Sequence, residues 1–305
     1  WDNLSDLINS ANQKSDAPIF LGQKTLQPNQ ADFFALQRAE KQELVYKTED
    51  LPRIFDEAEK YRQTIAGKVV VETPDPFINA AAAALNIGAD GVWDETQGVF
   101  MHGSLAWRTK LLGWRGPYLG DALGWHDRMR KNLEYWATRQ NISPISNEPI
   151  KQDATVNFAR NEPELHTNGD ISKSHYDMNV VYIDTLFRHI LWTGDVEFAK
   201  KMFPVIQRHL AWEKRLFRRE FGAEKLPLYE AYVVIWASDD LQYNGSGVTH
   251  STAYNYYHNK MAARIAKLIG EDATSYEKEA DLISKALQQN LWLKNKGWFG
   301  EYKDL

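Results

Sequence analysis

The sequence predicts an all-α fold in which helical hairpins are arranged as a toroid or a solenoid. Two stretches, 176–218 and 254–291, repeat one plan: a long helix, a glycine, an acidic residue and a second helix. Repeated helix pairs of this kind are typical of such architectures. Long aromatic and polar connections alternate with the short turns, at 88–118, 141–174, 221–249 and 294–305. We therefore expect the long connections to meet on one rim, where connections of this length are usually functional.

The helices before these units are predicted from apolar residues at helical spacing. Residues 1–47 mix short apolar and polar groups and are expected to form a connecting segment, and a first helix follows over 50–65. Residues 68–72, KVVVE, predict a short strand. An alanine-rich helix is expected over 77–87, because alanine has the highest helix propensity, and a third helix over 119–140.

The two repeated units carry their own stop and start signals. In the first unit, the first helix is expected to end at Gly194, and Asp195 begins the next one. Pro204 predicts a break with a fresh helix to about Arg218, since proline suits a first turn better than an interior. In the second unit, Gly270 ends the first helix in the same way.

Composition excludes several classes of function. The 305 residues carry a net charge of −5, with 43% hydrophobic and 25% charged residues, as in an ordinary globular protein with a substantial core. No basic patch indicates a nucleic-acid partner, and no apolar run approaches the roughly 20 residues of a membrane span. Cysteine is absent, which excludes disulfides and thiol catalysis and suits a protein exported to the periplasm or beyond.

The segment from Trp107 to Arg128 is the most informative part of the chain. It holds three tryptophans, three arginines, a histidine, two aspartates and four glycines. Indole rings offer flat apolar faces, and arginine and carboxylate groups hydrogen-bond hydroxyls in fixed directions. A sugar ring has the complementary surface, with apolar C–H patches surrounded by hydroxyls. The segment therefore indicates carbohydrate binding.

Three segments give the chain a likeness to a known superfamily: TPDPFINAAAAAL, HGSLAWRTKLLGWRGPYLGD and LYEAYVVIWASDDLQYNGSGVTHSTAYNY. With them the chain resembles the six-hairpin glycoside hydrolases, which include α-L-rhamnosidases, trehalases, α-L-fucosidases and some β-L-arabinofuranosidases. The resemblance implies an (α/α)6 toroid and hydrolysis of a glycosidic bond in a complex glycan, with inversion of configuration. It is strongest to large multidomain bacterial enzymes.

The resemblance also implies a domain organisation. Residues 1–66 would be a linker and lead-in helix, and 67–305 a catalytic domain that is incomplete at its C-terminus. About half of the toroid would then be present, with the remaining hairpins and further domains elsewhere in a longer polypeptide. The expected partner is a carbohydrate substrate, and no cofactor is predicted.

Glu230 is the first candidate for general acid. Glycoside hydrolysis needs two carboxyl groups, one of which holds a proton. Glu230 follows Tyr229 in PLYEAYVVIW, and such apolar company raises the pKa of a carboxyl group. The alternative is a glutamate hydrogen-bonded to a neighbouring helix N-terminus. Glutamates on polar helix faces, Glu197, Glu277 and Glu279, are expected to be solvated instead.

Asp121 is the first candidate for the second catalytic carboxylate, and N-capping of the helix that follows is its alternative role. The related rhamnosidase-like enzymes place sugar-contacting acids just before a Gly-Trp pair, where this chain has Lys110 to Leu112, so the match is partial. Asp94 and Glu95 are the nearest replacements in sequence. Glu301, in GWFGEY, or a residue outside this chain could also serve as base.

The remaining candidates would bind substrate. Trp114 and Trp125 would stack on sugar, with a core position as the alternative. The hydroxyl-binding candidates are Arg115, His126, His166, Asp170, His175, Asp177, Asp239 and Glu301. Capping, turn and ion-pair roles stay open for these residues, and the histidine spacings match no common metal motif, so no metal is predicted.

Two other classes of function remain open at this point. Helical toroids also house polysaccharide lyases and sugar epimerases. A lyase needs a tyrosine or histidine base and a cation beside a uronic carboxylate, which Tyr118, His126, Arg115 and Arg128 could supply. A glycan-binding module without catalysis is the other alternative.

Overall fold

The computed structural model describes residues 24–36, 46–145, 163–172, 176–230 and 247–303. The chain divides into two compact units, Trp1–Thr64 and Ile65–Leu305. Helices make up most of the described residues, which confirms the all-α class. Within these ranges, no helix combines the length and the apolar character needed to cross a lipid bilayer.

The first unit contains a 3-10 turn and the start of one helix. The turn, Thr48–Asp50, leads directly into α1, Leu51–Ala66, so the helix predicted over 50–65 is confirmed. Arg53 and Glu57 pair across one turn of α1, with 2.8 Å between guanidinium and carboxylate. Phe33 packs edge-on against Phe55, with 5.5 Å between the ring centroids.

The second unit begins with α2, a hairpin and two shorter helices. The bounds are α2 Pro76–Gly91, β1 Trp93–Asp94, β2 Val99–Phe100, α3 Arg115–Gly120 and α4 His126–Ala137. Asp75 caps α2, because its side chain accepts a hydrogen bond from the backbone of Phe77 at 2.8 Å. The alanine-rich helix is therefore confirmed.

Two predictions in this region are wrong. Residues 68–72 form no strand: no neighbouring strand is paired with them in the described chain, Val70 is 71% exposed, and the Val69 carbonyl accepts from the Asn86 side chain at 3.0 Å. β-propensity without a partner strand does not produce a sheet. The helix predicted over 119–140 is broken into α3 and α4, because Gly124 adopts a φ of +73° in the turn between them.

Both predicted helix pairs are confirmed. They are α5 Tyr176–Thr193 with α6 Val196–Leu216, and α7 Thr249–Ile269 with α8 Thr274–Ala286. Gly194 and Gly270 end the first helix of each pair in the left-handed region, at φ of 62° and 81°. The Asp195 side chain then accepts from the Phe198 backbone at 2.8 Å and caps α6.

The break predicted at Pro204 is wrong, because Pro204 lies inside the continuous helix α6. Its side chain is on the exposed face, while Phe203 and Val205 on either side of it are buried. A proline removes one backbone hydrogen bond, and on a solvated face water can satisfy the carbonyl that is left. Packing of the buried face then keeps the helix intact.

Short antiparallel strand pairs lie in segments that were expected to be long loops, two of them as hairpins and one, β5 with β8, joining distant parts of the chain. The strands are β3 Arg218–Phe221 with β4 Leu226–Tyr229, β5 Gly247–Val248 with β8 Tyr302–Lys303, and β6 Trp292–Leu293 with β7 Trp298–Phe299. A π-helical turn, Leu287–Leu291, follows α8. Pairing of β5 with β8 brings the end of the described chain beside the start of α7.

The main core lies between α5, α6, α7 and α8. Helix α5 is its centre, since 14 of its 18 residues are buried. The segment before α3 passes directly against α5: a Cβ at Gly113 would lie 2.6 Å from the Val181 carbonyl oxygen. Only glycine allows this approach, which places Trp114 next to α5 and α7.

Candidate functional site

A cleft of about 610 Å³ lies between α5 and α7. It is lined by Asp184, Arg188, Leu191, Trp192, His250, Ala253, Tyr254 and Tyr257. The α5 residues Asp184, Arg188 and Trp192 follow one another at four-residue spacing, so they share one helix face. Phe187 holds the two helices together beside the cleft, where its ring packs edge-on against Tyr257 at 6.2 Å between centroids.

The charged part of the cleft is a hydrogen-bonded group around Asp184. This buried carboxylate accepts from the Tyr118 hydroxyl at 2.5 Å and from Arg188 Nε at 2.7 Å. The Arg188 guanidinium also lies over the Tyr118 ring, 4.5 Å from its centroid. Burial and the hydrogen bond to Asp184 raise the pKa of Tyr118 far above its usual value, so this hydroxyl stays protonated.

The rest of the cleft is aromatic and neutral. Trp192 is 61% exposed and offers an open indole face. Burial raises the pKa of Tyr254 and of Tyr257, so both hydroxyls remain neutral donors and acceptors. Burial lowers the pKa of His250, whose Nδ1 has no hydrogen-bond partner among the described residues. The cleft therefore combines apolar ring faces with neutral hydrogen-bonding groups and one ion pair.

Glu230 is buried at the end of β4 and accepts a hydrogen bond from Arg219. Burial raises the pKa of Glu230 to about 7, against the opposing effect of the Arg219 charge. Its partner is thus an arginine of the same hairpin, whereas the sequence left open a helix N-terminus. The preceding residue, Tyr229, donates its backbone N–H to Thr252 Oγ1 at 2.9 Å, which ties this hairpin to the first turn of α7.

Glu301 lies beside the same turn of α7. Its carbonyl oxygen accepts from the Thr249 backbone N–H at 2.9 Å, and its side chain is exposed. The first turns of α5 and α7 also adjoin each other, because the Tyr176 and Ser251 hydroxyls are hydrogen-bonded. Glu230 and Glu301 therefore both lie near the first turn of α7. The connection before α5, the connection before α7 and the segment that ends in β8 come together there.

His166 and Asp170 lie at the approach to α5. His166 Nδ1 is 3.2 Å from Asp170 Oδ2, and Asn179 in the first turns of α5 donates to Asp170 Oδ1 at 2.9 Å. Asp177 is fully buried in the first turn. These three predicted residues therefore belong to the N-terminal end of α5. His175 and Asp239 fall outside the described residues.

Asp121 lies toward the opposite end of α5. It is buried in the turn after α3, where His126 Nδ1 is 2.7 Å and His189 Nδ1 is 2.9 Å from its Oδ1. Asp121 does not cap α4, which begins five residues later. Since Asn179 and His189 are ten residues apart in α5, about 15 Å of axial rise separates the groups around Asp170 and Asp121. The structure does not bring Asp121 and His126 together with Glu230.

The predicted tryptophans have different environments. Trp114 is half-buried against the main core and hydrogen-bonded to Tyr254, so it adjoins the cleft. Trp125 is buried beneath the Arg128 guanidinium, 4.5 Å from the ring centroid, and offers no open face. Arg115 is exposed at the start of α3.

Sequence reasoning missed a buried polar group between α5, α6 and α7. Glu213 Oε2 accepts from Tyr176 Oη at 2.8 Å and from Asn255 Nδ2 at 3.1 Å, and burial raises the pKa of Glu213 to about 8. His209 and His258 are fully buried nearby, with 5.7 Å between their ring centroids. The available signal was the i,i+4 spacing of His209 and Glu213 within an apolar helix face.

Sequence reasoning also misplaced Glu279, which is buried rather than solvated. It accepts from Arg218 Nε at 2.8 Å and from the Tyr229 hydroxyl at 2.9 Å. Burial alone acts to raise its pKa, but the hydrogen bond and charge of Arg218 lower the pKa of Glu279 overall. The cleft residues were missed for a related reason, since Asp184 and Arg188 at i,i+4 resemble an ordinary surface ion pair.

No family model matches this chain, and a search of curated proteins finds no match either. The function is therefore argued from the geometry of the sites.

Proposed function

We propose that this protein is a glycoside hydrolase that binds a complex oligosaccharide or polysaccharide between α5 and α7. The observation that carries the proposal is the cleft of about 610 Å³, in which indole and phenol rings stand beside an aspartate–arginine pair. Ring faces complement the C–H patches of a sugar, and the polar groups complement its hydroxyls. Trp192 would stack on a sugar ring, and Arg188 and His250 would bind hydroxyls.

In the proposed reaction, Glu230 is the general acid. A carboxyl group whose pKa is about 7 can hold a proton near neutrality and deliver it to the leaving oxygen. The Arg219 guanidinium, already hydrogen-bonded to it, would stabilise the carboxylate that forms. Glu301 is the proposed base, because its backbone is bonded to the same first turn of α7 to which Tyr229 is tied.

The proposed stereochemical course is inversion, in which the base activates a water molecule on the far side of the sugar from the acid. Such enzymes hold their two carboxyl groups roughly 6.5–9.5 Å apart. Asp121 is less suited to be the base, since it accepts hydrogen bonds from two histidines toward the other end of α5. No cofactor is required.

The proposal includes the (α/α)6 toroid and a place in a larger bacterial enzyme of the periplasm or the cell exterior. Two features support the toroid: the pairs α5–α6 and α7–α8 repeat one plan, and the N-terminal turns of α5 and α7 adjoin. In a toroid built from such hairpins, the connections leading into these turns would surround the substrate.

The test is turnover of a panel of aryl glycosides and plant or microbial glycans by the chain and two variants. Glu230→Gln removes the proposed acid, and we expect turnover to fall by roughly 100-fold or more. Glu220→Gln is the matched control, because Glu220 is an exposed glutamate of the same hairpin, and it should leave turnover unchanged.

Other outcomes would overturn the proposal. Products that absorb ultraviolet light as unsaturated uronates would indicate elimination by a lyase. Glycan binding without turnover on any substrate would indicate a binding module. Equal turnover by the chain and Glu230→Gln would remove Glu230 from the mechanism.

A further inference from the structure

We propose that Asp121, His126 and His189 form a binding site for a divalent transition-metal ion, and that zinc is the ion that fits it best. One potential ligand atom from each residue lies within 4.8 Å of the other two. The two Nδ1 atoms are 2.7 and 2.9 Å from Asp121 Oδ1, so both imidazoles converge on one carboxylate oxygen. This site is distinct from the proposed glycan cleft and goes beyond the proposed function.

The fold assembles the three residues from separate elements. Asp121 follows α3, His126 begins α4, and His189 lies near the end of α5. Gly124, at a φ of +73°, lets the chain turn back so that His126 returns to Asp121. The donor set is therefore held by the α3–α4 turn, the first residue of α4 and the packed helix α5, and rigid elements of this kind preorganise a metal site.

The three side chains of the site differ in how far they are buried. Asp121 and His189 are buried, at 4% and 2% exposure, and the His189 ring is packed edge-on against Phe198 with 5.1 Å between centroids. The His126 side chain is 46% exposed. An ion could therefore enter past His126 and reach two fixed ligands behind it.

The types of ligand atom in the site determine which metal ion it prefers. Imidazole nitrogen with one carboxylate oxygen suits zinc and its neighbours, whereas magnesium and calcium prefer oxygen ligands alone. Ligand atoms about 2.0–2.1 Å from a tetrahedral zinc ion lie about 3.3 Å from one another. The contacts of 2.7 and 2.9 Å would open by about 0.5 Å as the ion replaces the shared protons. Three protein ligands leave a fourth position for water on the side of His126.

A second histidine–aspartate pair provides a matched comparison. His166 Nδ1 is 3.2 Å from Asp170 Oδ2, so it has the same pairing with only one histidine. Asp170 Oδ1 already accepts from the Asn179 side chain at 2.9 Å and the Ser172 backbone at 3.1 Å. Among the residues that the structure describes, no third histidine or carboxylate converges on this pair, and we expect it not to hold zinc.

The experiment is calorimetric titration of zinc into the tag-free chain after treatment with a chelator. A separate metal-free sample is titrated with cobalt, whose visible d–d absorption reports a tetrahedral site. We expect one ion per chain, and His126→Ala should weaken zinc affinity by more than about 100-fold, beyond the loss typical of a supporting residue. His126 is half-exposed, so this variant should retain its fold, which circular dichroism checks. His166→Ala should bind zinc as the unaltered chain does.

Asp121→Asn is the second variant, and it should abolish the cobalt spectrum. The proposal is overturned if the unaltered chain binds no more tightly than His126→Ala, or if His166→Ala causes the larger loss. Either result would leave Asp121 as a carboxylate that only orients two histidines by hydrogen bonding.

Discussion

Replacement of Glu213 by glutamine measures what it costs this fold to bury an ionisable group between α5, α6 and α7. Glu213 is fully buried, and its Oε2 accepts from Tyr176 and Asn255. Its Oε1 has no hydrogen-bond partner among the described residues, and the His209 ring, whose pKa burial lowers well below its usual value, lies with its Nε2 3.8 Å away. A glutamine amide oxygen can take over both hydrogen bonds at Oε2 without carrying a charge.

The magnitude follows from the pKa of Glu213, which burial raises from 4.5 to about 8. Between these values the folded chain keeps a proton that the unfolded chain has lost, so the free energy of unfolding falls as the pH rises. At about 1.36 kcal/mol per pH unit, the full cost is about 5 kcal/mol above pH 8 and is absent below pH 4.5. Glu213→Gln should therefore be more stable than the unaltered chain at pH 8, and the difference should vanish on acidification.

The assay is urea unfolding of both proteins at several pH values between about 5 and 8. Glu279→Gln is the matched control, because Glu279 is also buried but its pKa is lowered overall by Arg218. The charged Glu279 side chain stabilises the fold above the ordinary glutamate pKa, and this stabilisation is lost as the pH falls. Glu279→Gln should therefore be less stable than the unaltered chain at neutral pH. If Glu213→Gln and the unaltered chain show the same pH dependence, Glu213 does not hold a proton in the folded state and the reasoning fails.

Three further predictions use the same structure. Because the pKa of Glu230 is about 7, turnover should decline as the pH rises above about 7, and a pH–rate profile that stays flat there would contradict its role as acid. Trp192→Ala should weaken glycan binding by about 1 kcal/mol, roughly five-fold in a calorimetric titration, while Trp298→Ala, similarly exposed but outside the cleft lining, should not. Gly113→Ala should lower the free energy of unfolding by about 1–3 kcal/mol, since its Cβ would lie 2.6 Å from a carbonyl oxygen of α5. Gly88→Ala, with open space around it, should instead be neutral or stabilising, and equal losses in both glycine variants would show that the close approach is unimportant.

The helices could be predicted because their signals are local. The apolar spacing of α5 and α7, the glycines that end them and the cap at Asp195 are all encoded within a few residues. The errors occur where a tertiary contact overrides a local preference. Pro204 stays inside a helix because the residues beside it are packed in the core. The stretch 68–72 forms no strand because no partner strand is paired with it in the described chain.

The candidate site was predictable only in part, for a related reason. An apolar neighbourhood around Glu230 is visible in the sequence, and its burial follows from that. The Arg219 partner is not visible, because it depends on the register of the β3–β4 hairpin. The environment of Asp184 in the cleft includes the hydroxyl of Tyr118, 66 positions away in the sequence, and no helix pattern encodes that proximity.

The two proposals can be judged separately because the proposed acid and base lie away from the metal site, although Arg188 of the cleft is the sequence neighbour of His189 in α5. Asp170 bonds to Asn179 near the start of α5 and Asp121 bonds to His189 near its end, about 15 Å further along the axis. The proposed acid and base adjoin the first turn of α7, which contacts the first turn of α5 through Tyr176. A metal ion at Asp121 would therefore act on the packing of α3, α4 and α5 rather than on the scissile bond. Zinc could bind to a chain that hydrolyses nothing, and hydrolysis could proceed without zinc, so failure of either experiment leaves the other proposal standing.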